Sequence, residues 1–74
     1  MNNTRRKQLR EITAEIEEAI ERIRFLQEEE EQAFENLPDG IKESERGQLM
    51  ENAMYTLESA ADDIESAVNE ILEL

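Results

Sequence analysis

The sequence predicts an all-α fold, an antiparallel two-helix hairpin, on three observations. Apolar residues recur at alternating spacings of three and four on both sides of one break. That break, 36–47, holds the only proline and both glycines, and basic residues gather near the start of the chain while acidic ones fill the rest. Three-four alternation marks a helix with one apolar stripe. Proline lacks an amide donor and pushes the residue before it out of the helical region, so a helix arriving from the N-terminal side stops near Asn36.

The first helix is expected over about 4–36. Leu9, Ile12, Ile16, Ala19, Ile23 and Leu26 read as a heptad seam that continues through Glu30 to Ala33 and Leu37, with Ile20 and Phe34 widening it on one side. Asn3 or Thr4 is read as the cap, and the interior is dominated by strong helix formers. At about 1.5 Å per residue this helix is roughly 48 Å long.

The turn is expected at about 37–44, with Gly40 supplying backbone angles other residues avoid. Leu37 and Ile41 are expected to fold back near Phe34 and Met50. Ser44 is the natural N-cap of a second helix over about 45–73, and Glu45 complements the positive end of its dipole. The second seam reads Met50, Ala53, Leu57, Ala60, Ile64, Ala67, Ile71 and Leu74. Alanine at every other seam position would let a partner helix approach closely, so Ala60→Leu is expected to weaken the fold.

A linker of about 8–10 residues makes the two helices antiparallel neighbours. Folding back would bring Arg5, Arg6, Lys7 and Arg10 beside the end of the second helix, where Glu65, Glu70, Glu73 and the carboxylate terminus collect. The whole chain, 1–74, is one domain with no cysteine or histidine to supply a disulfide or zinc staple, which leaves self-association to complete a small core. Ile20, Phe34, Met54 and Val68 are expected to form the oligomer flank of a homodimeric four-helix bundle, one that tightens as salt screens its charge.

The net charge of -12, from 20 acids against 8 bases, excludes direct nucleic-acid and anionic-membrane binding and points to neutral or basic protein partners. No apolar run reaches the roughly 20 residues of a transmembrane helix and the start lacks the apolar core of a signal peptide, so a cytoplasmic protein is the expectation. Glu28, Glu29, Glu30 and Glu31 with Glu35 could suggest a cation site, but carboxylate metal sites in bundles pair glutamate with histidine, and none is present. No metal or other cofactor is expected. Ser44, Ser59 and Ser66 have no histidine to take a proton, so the chain reads as non-enzymatic.

Arg22, Arg24, Phe25 and Tyr55 stand out as a candidate partner contact. Phe25 lies sixteen residues before Ile41 and Tyr55 fourteen after it, so folding would bring them to one level, and aromatic and arginine side chains are the usual anchors of interfaces. The segment Lys42 to Arg46 reads as a solvated connector.

The string Asn36-Leu37-Pro38, then Ser44-Glu45-Arg46-Gly47, followed by Met50-Glu51 and Leu57-Glu58, resembles a group of short acidic helical-hairpin proteins of bacterial and phage genomes, over roughly residues 30–72. The resemblance implies a hairpin of such origin and no catalytic residue. The function expected is that of a small acidic protein-interaction module, an adaptor or regulator. The alternative is a nucleic-acid mimic that inhibits a host nucleic-acid-binding or defence enzyme.

Overall fold

The computed structural model describes all 74 residues. Helix α1 spans Asn3–Glu35, a single-turn helix α2 spans Asp39–Lys42, and α3 spans Glu45–Leu72. Both long helices form where the sequence places them, because strong helix formers and one apolar stripe agree there. The Cα trace measures 58 × 15 × 12 Å, and no helix is long and apolar enough to cross a membrane.

Cross-contacts establish the antiparallel hairpin. Arg6 Nε donates to the main-chain oxygen of Leu74 at 3.0 Å, Arg24 meets Asp62 and Glu65, and Lys42 meets Glu35 at 3.5 Å. Residue numbers rise along α1 as those of its partners fall. Arg6 and Arg10 lie beside Ile71, Leu72 and Leu74 at the end of the second helix, as expected, and Arg6 bonds to Leu74 there; no ion pair joins the basic start to Glu65, Glu70 or Glu73, and Glu65 is held by Arg24.

The seams are rotated by one row from the sequence reading. In α1 the rows facing α3 are Leu9, Ile16, Ile23, Glu30 and Leu37, as expected, together with Thr13, Ile20, Gln27 and Phe34. Ile12, Ala19, Leu26 and Ala33, read as seam, are exposed. In α3, Met50, Leu57 and Ile71 keep their role and Ile64 stands at the rim at 36% exposure, while Gly47, Met54, Ala61 and Val68 turn inward; of the alanine row, Ala53 is half-buried and Ala60, Ala67 and Leu74 are exposed. Ile20, Ala61 and Val68 form the buried core, with Ile16 and Ile23 packed against it.

Two corrections follow. Ile20, Phe34, Met54 and Val68 do not form an uncovered flank, since Ile20 and Val68 are buried and Phe34 and Met54 half-buried within the hairpin itself. Ala60 is exposed, so a leucine there would not wedge the two helices apart; Ala61, at 0% exposure, holds the tight position. Thr13 is the one buried polar side chain, and its hydroxyl donates to the Arg10 carbonyl at 3.1 Å, which satisfies it within its own helix.

The closed end explains which rows turn inward. Pro38 starts α2 with its fixed φ, its carbonyl accepting from the amides of Ile41 and Lys42. Gly40 lies inside this turn with no positive φ and open space around it, so its special backbone freedom goes unused. Gly47 is the glycine the fold requires. A Cβ there would come within 2.7 Å of the Ile41 carbonyl oxygen and overlap that of Lys42. The α2 backbone therefore rests on α3 at Gly47, and the row containing Gly47 is thereby drawn into the hairpin.

The caps also differ from expectation. Asn2, rather than Asn3 or Thr4, caps α1, its Oδ1 accepting from the Arg5 amide at 2.8 Å. Ser44 occupies the N-cap position of α3 with extended backbone, but its hydroxyl donates back to the Ile41 carbonyl and accepts no helix amide. Leu37 is half-buried as expected, whereas Ile41 is 38% exposed, and the Phe34 ring is covered by Lys42, whose Nζ lies 5.7 Å from the ring centroid.

Candidate functional site

The four residues read as a partner contact begin from one turn of α1. Arg24 follows Ile20 by four, which sets it on the flank of the core-facing stripe, within reach of α3. Its Nη2 donates to Asp62 Oδ1 at 3.0 Å and to Glu65 Oε2 at 2.6 Å. The hydrogen bonds it donates to Glu65, and next to Asp62, raise the guanidinium pKa above its ordinary value. Arg24 is thus committed to the hairpin's own architecture.

Arg22 and Phe25 remain free of α3. With Glu18, Glu21 and Leu26 they line a shallow depression on the outer surface of α1, to which α3 contributes nothing. Phe25 is 60% exposed, and Arg22 forms no ion pair within the hairpin. Tyr55 is 65% exposed and lies one heptad before Asp62, on the flank that carries the Arg24 pair. The structure therefore brings Arg22 and Phe25 together with Leu26, and leaves Arg24 and Tyr55 outside that depression.

Of the 20 acids, all but Glu30 and Glu51 are exposed, and only Glu35, Asp62 and Glu65 are in ion pairs. They fan around the outer faces of the rod, with no group of three or more carboxylates close enough to hold a metal ion. Glu28 to Glu31 point successively around α1, as consecutive helix positions must. Ser44 is engaged with the Ile41 carbonyl.

The seam reading hid a second surface. Arg24 and Glu65 each follow an inward residue, Ile20 and Ala61, by four, and they meet on one flank of the hairpin. Leu26 and Ala67 each follow Ile23 and Ile64 by three, which puts their rows on the opposite flank. At sevenfold spacing those rows read Arg5, Ile12, Ala19, Leu26 and Ala33 in α1, and Arg46, Ala53, Ala60, Ala67 and Leu74 in α3. None of the 20 acids falls on either row. The signal is present in the sequence as an acid-free lane, but both choices of row satisfy three-four alternation, so periodicity alone does not separate it from the buried seam.

No protein family, curated protein or solved structure matches this chain.

Proposed function

We propose that this protein is a non-enzymatic interaction module, an adaptor or regulator that docks on a protein of basic surface through its acidic outer faces. The observation that carries the reading is the exposure of 18 carboxylates along a rod 58 Å long, nearly all of them without an intramolecular cation. Such a field steers association with a positively charged partner and repels anionic ones. The non-enzymatic part of the reading rests on composition, since no histidine is present to take a serine proton.

Nucleic-acid mimicry is the second reading, and charge density ranks it below the first. A duplex carries one charge per about 1.7 Å, or roughly 34 over the length of this rod, against a net -12 here. The test is capture of host protein by the intact chain at low salt, beside a variant with Glu11, Glu18, Glu21 and Glu28 changed to Gln. The expected result is a specific partner retained by the parent, released by salt and lost by the variant. Failure to retain any specific protein, or equal retention by both chains, would overturn the proposal. If the captured protein loses bound nucleic acid as the hairpin is added, the mimic reading replaces the adaptor.

A further inference from the structure

Alone, the hairpin buries five of its 74 residues, and a chain of this size seldom gains more than about 3–5 kcal/mol from a single core. Apolar surface that could extend that core lies on the acid-free flank. Ile12 is 50% exposed, Leu26 56% and Ile64 36%, while half-buried Ile16, Ile23 and Leu57 form the floor between them. Both helices contribute to this side, as the depression lined by Glu30 with Glu45, Arg46, Leu49, Met50 and Ala53 shows, its two carboxylates lying outside the acid-free rows at the closed end.

We propose that the flank carrying Ile12, Leu26 and Ile64 is the contact surface for a second copy of this chain. Charge selects both the surface and the occupant. Pressing two chains of net -12 together on any other face would oppose carboxylate to carboxylate, whereas this lane contains none. With no acid on it, the lane also offers nothing to the basic protein proposed above, so the two surfaces act independently. The size fits as well: a face 58 Å by 15 Å is on the order of the roughly 800 Å² per partner that a stable interface covers.

The row bordering the lane on α1 places a charge that a second copy would engage in either stacking of the hairpins. It reads Gln8, Glu15, Arg22 and Glu29. When α1 crosses its copy antiparallel about Ala19, Ile12 meets Leu26 of the second copy, Ala19 meets Ala19, and Glu15 comes opposite Arg22 of the second copy, twice by symmetry. Arg22 is exposed and has no partner in its own hairpin. The other stacking, α1 against α3 of the second copy, would set Arg22 by Asp63 but also Glu15 by Glu70, a like-charge pair at each end. In the first arrangement Asp63 comes opposite Glu70 of the second copy, also twice, so each stacking sets two attractive pairs against two like-charge pairs, and Arg22 is engaged in both.

Sedimentation equilibrium from low to high micromolar concentration, with circular dichroism on the same samples, tests the proposal. The parent is expected to dimerise, more tightly as salt rises. Ala19→Glu, which puts a carboxylate into the acid-free lane at an exposed position of the hairpin, is expected to give a helical monomer. Arg22→Glu should weaken the dimer by about tenfold, by turning two attractions into repulsions, and Glu15→Arg with Arg22→Glu together should restore it. A parent that stays monomeric at high micromolar concentration, a dimer indifferent to Ala19→Glu, or a double charge swap no better than the single one would overturn the proposal.

Discussion

Arg24 reaches from α1 to Glu65 of α3 across 41 positions of sequence, at 2.6 Å. Together with Asp62 at 3.0 Å it is the only charged bridge between the two long helices, so it marks the register of the hairpin. Exposure limits its strength, since the side chains of Arg24, Asp62 and Glu65 are 35%, 61% and 52% accessible. Arg24→Gln is expected to lower the melting temperature slightly at low salt, with the difference from the parent shrinking as salt is added. Alkaline pH should not reproduce that loss: a raised guanidinium pKa leaves the pair intact until pH passes above the ordinary arginine value. Thermal melts followed by circular dichroism across salt and pH check both statements.

Ala61 and Ala60 should behave oppositely. Ala61 is fully buried, and leucine there is expected to cost about 1–3 kcal/mol by overpacking. Ala60 is exposed on the hairpin, and leucine there is expected to change stability by no more than about 0.5 kcal/mol at concentrations too low for association. Denaturant titrations of both variants at low micromolar concentration would show the contrast. Equal losses would mean that the helices pack through the alanine row after all.

Ile20 sits at 4% exposure in a core whose other members are Ala61 and Val68. Ile20→Ala is expected to cost about 2–5 kcal/mol, comparable to all that a hairpin of this size has. Loss of the cooperative melt, read as a falling helical signal at 25 °C, is the outcome to look for.

The two glycines should respond in opposite senses. Gly47→Ala forces a Cβ into the Lys42 carbonyl, so it is expected to destabilise by about 1–3 kcal/mol despite the better helix propensity of alanine. Gly40→Ala meets open space in a helical turn and is expected to stabilise by about 0.4–1 kcal/mol through the unfolded chain. Melting temperatures of the two variants, measured side by side, decide the matter.

The hairpin was legible in the sequence because its causes are local: Pro38 ends one helix, strong formers fill both, and a short linker leaves only the antiparallel arrangement. The rotation of the seams was not. Leu9, Ile16 and Ile23 can pair with Ile12, Ala19 and Leu26 or with Thr13 and Ile20 at the same three-four spacing, and a polar Thr13 favours the wrong choice. What decides is backbone contact at Gly47 and the hydroxyl of Thr13 finding the Arg10 carbonyl, neither of which periodicity carries. The candidate contact was divided for a related reason. Once the rows turn, Arg24 reaches α3 while Arg22 and Phe25 stay outside.

The close seating of α2 on Gly47 also bears on the order in which the molecule assembles. Contacts at the closed end, such as Lys42 with Glu35, join positions a few residues apart, whereas Arg6 and Leu74 are separated by 68. The entropy of closing a loop grows with its length, so pairing begins at the corner and proceeds toward the termini like a zipper. A topology of this kind folds rapidly, on the microsecond to millisecond scale typical of helical domains. Amide exchange should be slowest around Ile20 and Ala61, where the core is buried, and fastest beside Arg6, where the ends fray many times for each global unfolding.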